Sequence, residues 1–143
     1  MSLYCKRIVN INVNIVLASA LAAVLTAPII EVLEEHLRSI ALVVLSSLVI
    51  DAIFDFSIFS LLHWFANKSL QGTRFLRDVL TLQKQRVFLT PLFYGVATGT
   101  QTALLVLGRG AGFSVVVAYF LAILVTRCVH TLYGLKCGLF VGE

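Results

Sequence analysis

Residues 40–66 read IALVVLSSLVIDAIFDFSIFSLLHWFA, an apolar run that contains two carboxylates, Asp51 and Asp55. A helix needs about 20 apolar residues to cross the hydrocarbon core of a bilayer, so this run predicts a membrane span. A charge at the centre of such a helix costs about 2.5–3.5 kcal/mol even on insertion scales. Groups of this kind usually face a protein interior or a wet cavity, which makes both aspartates candidate functional residues.

Three further apolar runs of similar length flank this segment, at residues 8–30, 87–108 and 111–133. The chain has 143 residues, of which 59% are hydrophobic, and its mean hydropathy is +0.98. Four spans leave no room for a soluble domain. The sequence therefore predicts an all-α fold, an integral membrane four-helix transmembrane bundle that forms a single domain over residues 1–143.

The basic residues are distributed unevenly between the connections, which predicts an orientation. Eight lie before the first run, between the second and third runs, or after the fourth: Lys6, Arg7, Lys68, Arg74, Arg77, Lys84, Arg86 and Lys136. The other two connections carry only Arg38 and Arg109. The positive-inside rule then predicts that both termini are cytoplasmic, in a prokaryotic-type inner (cytoplasmic) membrane. The net charge of +4 is explained by topology and by contact with anionic lipid, and no nucleic-acid partner is expected.

The connection between the second and third runs, residues 67–86, has a helical hydrophobic pattern. Apolar residues fall on one side of this helix and Arg77, Thr81 and Lys84 on the other; the apolar set is Phe75, Leu76, Val79, Leu80 and Leu82. This pattern predicts an amphipathic helix that lies on the inner membrane surface. Its role is either docking of lipid or a partner, or simple connection.

Small residues predict where the helices approach one another. Gly95 and Gly99 form a GxxxG pair, which is typical of close helix packing in membranes. The first run carries a second set of small residues, Ala18, Ser19, Ala22 and Ala23. The link Gly108-Arg109-Gly110 is so short that the third and fourth runs should form an antiparallel hairpin.

Polar residues recur in all four runs at similar predicted depth. Asp51 and Asp55 share a helix face because they are four residues apart, and His130 lies one turn from Arg127. The candidate ion or ligand pathway comprises Asp51, Asp55, Arg127, His130, Asn14 and Gln101. These residues gather in the predicted inner half, whereas the outer half is apolar. This asymmetry predicts a polar cavity that opens to the cytoplasm.

Three interpretations of this set remain open. In the first, Arg127 forms a structural ion pair with Asp55 or Asp51, which would be costly to break. In the second, the acids and Arg127 form a transport site, in which an aspartate carries a proton and the planar guanidinium holds an anion. In the third, the polar face contacts another subunit, either a second copy or a different membrane protein.

Enzymatic chemistry is not expected, since the chain contains no nucleophile elbow, phosphate loop, HExxH or CxxC motif. The three cysteines have no metal-ligand spacing. Haem or copper on His63 and His130, or a metal on Glu31, Glu35 and His36, are lesser alternatives, and no cofactor or metal is predicted. The leading hypothesis is a protein that translocates or binds a small ion, solute or anionic lipid headgroup. The alternative is a non-catalytic small subunit that stabilises a larger membrane complex.

Overall fold

In the computed structural model of the protein, the described residues are 7–66, 77, 79–80 and 88–136. Four helices account for most of them: α1 (Arg7–Glu34), α2 (Ile40–Ala66), α3 (Thr90–Val106) and α4 (Ala111–Lys136). No strand occurs among these residues, so the all-helical prediction is confirmed. The four helices coincide with the four apolar runs of the sequence, and α2 has the predicted bounds.

Three of the helices are long and apolar enough to cross a membrane: Asn12–Glu34, Ile40–Ala66 and Ala111–His130. Helix α3 has 17 residues, which at 1.5 Å per residue corresponds to roughly 25 Å. It is therefore the shortest of the four. Length and composition thus indicate a membrane protein in which three helices are apolar enough to span the bilayer.

The helices form a ring in which each packs against its neighbours in sequence. Helix α1 packs closely against α2 and α4, α3 packs closely against α4, and α2 meets α3 more sparsely. Helices α2 and α4 therefore lie on a diagonal of the bundle. Alanines allow the close approach of α1 to its neighbours, and the small residues predicted for this role are all buried: Ala18, Ser19, Ala22 and Ala23.

Local capping defines one end of the bundle, which carries the α1–α2 and α3–α4 connections and is called the loop end below. The Ser39 hydroxyl accepts a hydrogen bond from the Leu42 amide at 3.3 Å, as expected of an N-cap. At the end of α3, Gly108 has φ +72°. Its amide donates to Leu105, and the next amide, that of Arg109, donates to Leu104. This Schellman motif explains why the predicted tight hairpin needs glycine.

Two carboxylates of α1 bind the beginning of α4. Glu34 Oε2 accepts a hydrogen bond from the Ala111 amide at 3.0 Å, and Glu31 Oε2 accepts one from the Gly112 amide. Negative charge at a helix N-terminus satisfies free amides and interacts favourably with the helix dipole. These contacts fasten α1 to the hairpin at the loop end.

Two helices approach closely at Gly112, but not at the predicted glycine pair. A Cβ at Gly112 would lie 2.9 Å from the carbonyl oxygen of Ala27, whereas no atom lies within 4 Å of a Cβ at Gly95 or Gly99. Both α3 glycines are exposed. Among the described residues, therefore, no side chain or backbone packs closely on the two glycines.

Most of the predicted interfacial helix lies outside the described residues. Of its predicted apolar face, Leu80 is exposed, but Val79 is buried against Ile15, Ala18 and Phe59. The side chain of Val79 thus packs into the groove between α1 and α2, where the sequence alone suggested a helix resting on lipid.

Candidate functional site

The inward face of α2 carries several buried polar side chains. Its buried residues are Val43, Val44, Ser47, Asp51, Phe59 and His63. Its exposed side is strongly apolar and includes Leu42, Leu45, Val49 and Ile53. This arrangement is the reverse of a helix on the surface of a water-soluble protein, which turns its apolar stripe inward. It suits a helix that is surrounded by lipid and that faces a polar interior.

Near the middle of the bundle, buried polar side chains from α2, α3 and α4 come together. Ser47 lies 2.7 Å from Gln101 Oε1 and donates to it, and the Tyr119 hydroxyl lies beside Ser47 and within electrostatic reach of Asp51. Each of these four side chains is at most 1% exposed. Asp51 and Gln101 were both predicted from the sequence to be site residues, and the structure places them in one group.

Helix α1 carries a buried threonine, Thr26, at about the level of Ser47 along the bundle axis. Helices α1 and α2 are antiparallel, and Ser19 contacts Asp55. Seven residues closer to the loop end, α1 has reached Thr26 and α2 has reached Leu48, the neighbour of Ser47. Thr26 is fully buried. Ser47, Asp51, Gln101 and Tyr119 are called the central cluster below; α2, α3 and α4 contribute to it.

One helical turn further from the loop end, Asp55 is held by a neutral partner. The Ser19 hydroxyl donates to Asp55 Oδ1 at 2.7 Å. A charge-assisted bond of this kind stabilises an ionised carboxylate. Asp55 is partly buried, whereas Asp51 is fully buried, so the two aspartates share a face but occupy different environments.

Arg127 lies nearer the end of the bundle that carries residues 7 and 136, called the terminal end below. Its Nη1 donates to Asn12 Oδ1 at 3.2 Å. Asn12 is seven residues from Ser19, so the levels of Arg127 and Asp55 differ by roughly 10 Å along the bundle axis. Helices α2 and α4 are also diagonal. Neutral side chains of α1 thus contact both charged groups, Ser19 at Asp55 and Asn12 at Arg127.

The other predicted polar residues cluster at the same terminal end. Asn14 is fully buried and His130 is partly buried, one turn along α4 from Arg127. His63 is fully buried and stacks on Phe59, with 5.6 Å between ring centroids. Polar groups therefore continue along the interior from the central cluster to the terminal end.

Towards the loop end, apolar side chains close the interior. Ile30, Val43, Val44, Leu105 and Val115 are each at most 9% exposed and belong to one packed cluster. This set, called the apolar plug below, separates the central cluster from the Glu31 and Glu34 contacts. The interior is therefore mainly apolar at the loop end, whereas from its middle to the terminal end it contains polar groups beside the apolar cluster of Ile15, Ala18, Phe59 and Val79.

Three buried polar residues of the interior were not predicted from the sequence as site residues: Thr26, Ser19 and Tyr119. A tyrosine in the middle of a predicted span was an available signal, because tyrosine in membrane proteins favours the interface. Ser47 lies one turn from Asp51, and that spacing also pointed to the cluster. Ser19 gave no comparable signal, since serine is common among small packing residues.

The described residues contain no group of three His, Cys, Asp or Glu side chains that could hold a metal ion. Glu31, one of the ligands considered from the sequence, instead binds the start of α4. Cys128 is a free, exposed thiol. No protein-family model, no curated protein and no solved structure matches the chain.

Proposed function

We propose that this protein spans the cytoplasmic membrane four times, with both termini inside, and binds or translocates a small ion, solute or anionic lipid headgroup through its polar interior. One observation supports this most strongly: α2 buries Ser47, Asp51 and His63 while it exposes leucine, valine and isoleucine. Ionisable groups inside membrane proteins are costly and generally mark substrate or ion pathways.

The distribution of polar groups also supports a pathway with one accessible end. Asp55, Asn14, Arg127 and His130 lie between the central cluster and the terminal end, and the apolar plug closes the opposite end. With inward termini, a ligand would enter from the cytoplasm. Arg127 and Asn12 would then meet an anionic group first, because the guanidinium presents several donors to phosphate or carboxylate.

Transport can be tested in liposomes that contain the full chain, with three probes. These are entrapped pyranine for protons, radioactive Na⁺ for alkali cations, and a fluorescent phosphatidylglycerol for headgroups. We expect at least one probe to move faster than in protein-free liposomes. Asp51→Asn should slow that flux about tenfold or more, a factor that corresponds to roughly 1.4 kcal/mol in the barrier.

Glu35→Gln is the matched control, because it removes an exposed carboxylate outside the interior. This variant should transport at the wild-type rate. Equal fluxes in wild-type and Asp51→Asn liposomes, or no flux of any probe, would contradict the transport proposal.

A second candidate function is that of a small subunit in a larger membrane complex or a homo-oligomer. It is favoured by the open surface around Gly95 and Gly99. Exposed glycines at this spacing allow another helix to approach closely. In this case the purified chain would associate through α3, and Gly99→Leu would weaken that association while leaving the fold of the single chain unchanged.

A further inference from the structure

We propose that a membrane lipid enters the interior sideways, between α2 and α3, and that its headgroup binds at Gln101. This inference rests on the proposed function: it selects the anionic lipid headgroup among the ligands named there and gives it an entrance on the side of the bundle. Three features of the described helices support it. They are the sparse contact of α2 with α3, a buried amide inside that contact, and an apolar cluster towards the terminal end.

The contact between α2 and α3 is the weakest of the four contacts between neighbouring helices. The bundle consists of two hairpins, α1–α2 and α3–α4, each closed by a short connection. Helices α1 and α4 join the hairpins firmly, since Glu31 and Glu34 bind the start of α4 and Gly112 lies against the α1 backbone. The opposite junction, called the α2–α3 seam below, is bridged by the hydrogen bond between Ser47 and Gln101. The two hairpins should therefore separate most easily at this seam.

The middle of the α2–α3 seam contains small and polar residues. Helices α2 and α3 are antiparallel, so Ala97, one turn from Gln101, lies at about the level of Asp51, one turn from Ser47. All four residues are buried. Short and polar side chains bury little apolar surface between two helices, which makes separation of the seam less costly than separation of a seam lined by leucine and isoleucine.

The Gln101 amide has one unpaired end in this seam. Its side chain is fully buried, and Ser47 bonds Oε1, but Nε2 has no hydrogen-bond partner. Buried polar groups without a partner are rare in native proteins, because desolvation without compensation costs free energy. An unpaired donor suits a phosphate oxygen, and with the amide turned over, an unpaired acceptor suits a hydroxyl group. The headgroup of phosphatidylglycerol offers both.

The surroundings of the seam favour a lipid over a solute dissolved in water. A second apolar cluster lies between the central cluster and the terminal end: Ile15, Ala18, Phe59 and Val79. A solute from the cytoplasm would have to pass this cluster. At the seam, by contrast, the exposed side chains of α2 and α3 include Val49, Ile53 and Val106. A lipid there can keep its chains in the hydrocarbon while its headgroup reaches Gln101.

The test uses the full chain in liposomes that contain phosphatidylglycerol with a photoreactive diazirine on its headgroup. We expect headgroup adducts, located by peptide mass spectrometry, on α2 and α3 at the level of Gln101. Gln101→Leu should reduce these adducts about tenfold or more, as expected for the loss of one hydrogen bond to a charged group. Thr102→Val, the matched control on the exposed face of α3, should form adducts like the wild type.

A reversible lock tests the entrance itself. Val43 and Leu105 are buried and lie one turn closer to the loop end than the Ser47–Gln101 bond, at the same level. Val43→Cys and Leu105→Cys are combined in a background whose three native cysteines are serine, and are joined by a short bis-methanethiosulfonate. Linking should abolish the adducts and the movement of fluorescent phosphatidylglycerol, and reduction should restore both. The same chain before linking is the control.

The proposal is overturned if headgroup adducts occur at the helix ends alone, or if linking leaves the adducts at Gln101 unchanged. If the double-cysteine variant does not fold, the comparison of Gln101→Leu with Thr102→Val carries the test, and equal adducts in the two overturn the proposal. Adducts at Gln101 without movement of any probe would refute only translocation. Movement of protons or Na⁺ without adducts at Gln101 would refute only the lipid entrance.

Discussion

Replacing Gly112 by alanine is expected to destabilise the protein by about 1–3 kcal/mol, the usual cost of overpacking. The added Cβ would lie 2.9 Å from the Ala27 carbonyl oxygen and 2.7 Å from Glu31 Oε2. Glu31 can move, but only by weakening its hydrogen bond to the Gly112 amide. The Ala27 carbonyl is part of the α1 backbone, so relief requires α1 and α4 to separate.

Gly99→Ala is the matched control, since a Cβ at that position meets no atom within 4 Å. Alanine favours a helix over glycine by up to ~1 kcal/mol, so this variant should be neutral or slightly stabilised. Reversible unfolding in mixed detergent micelles provides the measurement. Equal stabilities of the two variants would contradict this prediction and show that α1 and α4 accommodate a Cβ at Gly112 without cost.

Replacing Gln101 by leucine is expected to increase stability by about 1–2 kcal/mol and to abolish ligand binding. The amide is fully buried, and one end of it has no hydrogen-bond partner. Ser47 keeps the Val44 carbonyl as an acceptor, so the substitution leaves no hydroxyl unsatisfied. Replacing buried polar groups by apolar residues of similar size is often stabilising.

This prediction separates a functional cluster from a structural one. A residue retained for function can reduce stability, whereas a structural hydrogen bond must increase it. The measurement is unfolding in the same micelles, with Thr102→Val as a control on the exposed face of α3, where a change within about 0.5 kcal/mol is expected. Loss of more than 1 kcal/mol in Gln101→Leu would instead assign the amide to holding α2 and α3 together.

The helices could be predicted from the sequence because spanning length and hydropathy are local properties. Residues 40–66 match α2 throughout, and the glycines of the 108–110 link match the observed turn. Helix ends were less certain: the predicted first run, residues 8–30, already included Pro28, and α1 extends beyond it to Glu34. Proline removes one backbone donor, which a helix tolerates where its neighbours support it.

The face that a helix turns inward was harder to predict. Gly95 and Gly99 suggested the packing surface of α3, but the buried residues are Ala97, Gln101 and Leu105. Each glycine precedes a buried residue by two positions, which corresponds to a rotation of about 200° around the helix axis. The glycines therefore lie almost opposite the buried face. A GxxxG pair shows that one side of a helix is smooth. It does not show whether that side meets this chain or another one.

Which polar residues contact one another depends on the register of each helix against its neighbours. The sequence of a single apolar run does not reveal that register. Depth alone placed Asp55 and Arg127 at similar levels, but it did not predict the contacts of Asp55 with Ser19 and of Arg127 with Asn12. An error of one turn per helix moves a side chain by about 5.4 Å, enough to exchange partners. The candidate residues themselves could be identified from the sequence, because a polar residue type inside an apolar run is a local property.

The most direct test of the account is a spin-label scan of α2 in lipid vesicles, with oxygen and a nickel chelate as the relaxation agents. We expect high oxygen and low nickel accessibility at Leu45, Val49 and Ile53, and low accessibility to both at Val44 and Ser47. Label at Ala103, on the exposed side of α3, should resemble Leu45 if α3 also spans the bilayer. High nickel accessibility at Leu45, Val49 and Ile53 would contradict the claim that lipid surrounds a polar-cored bundle.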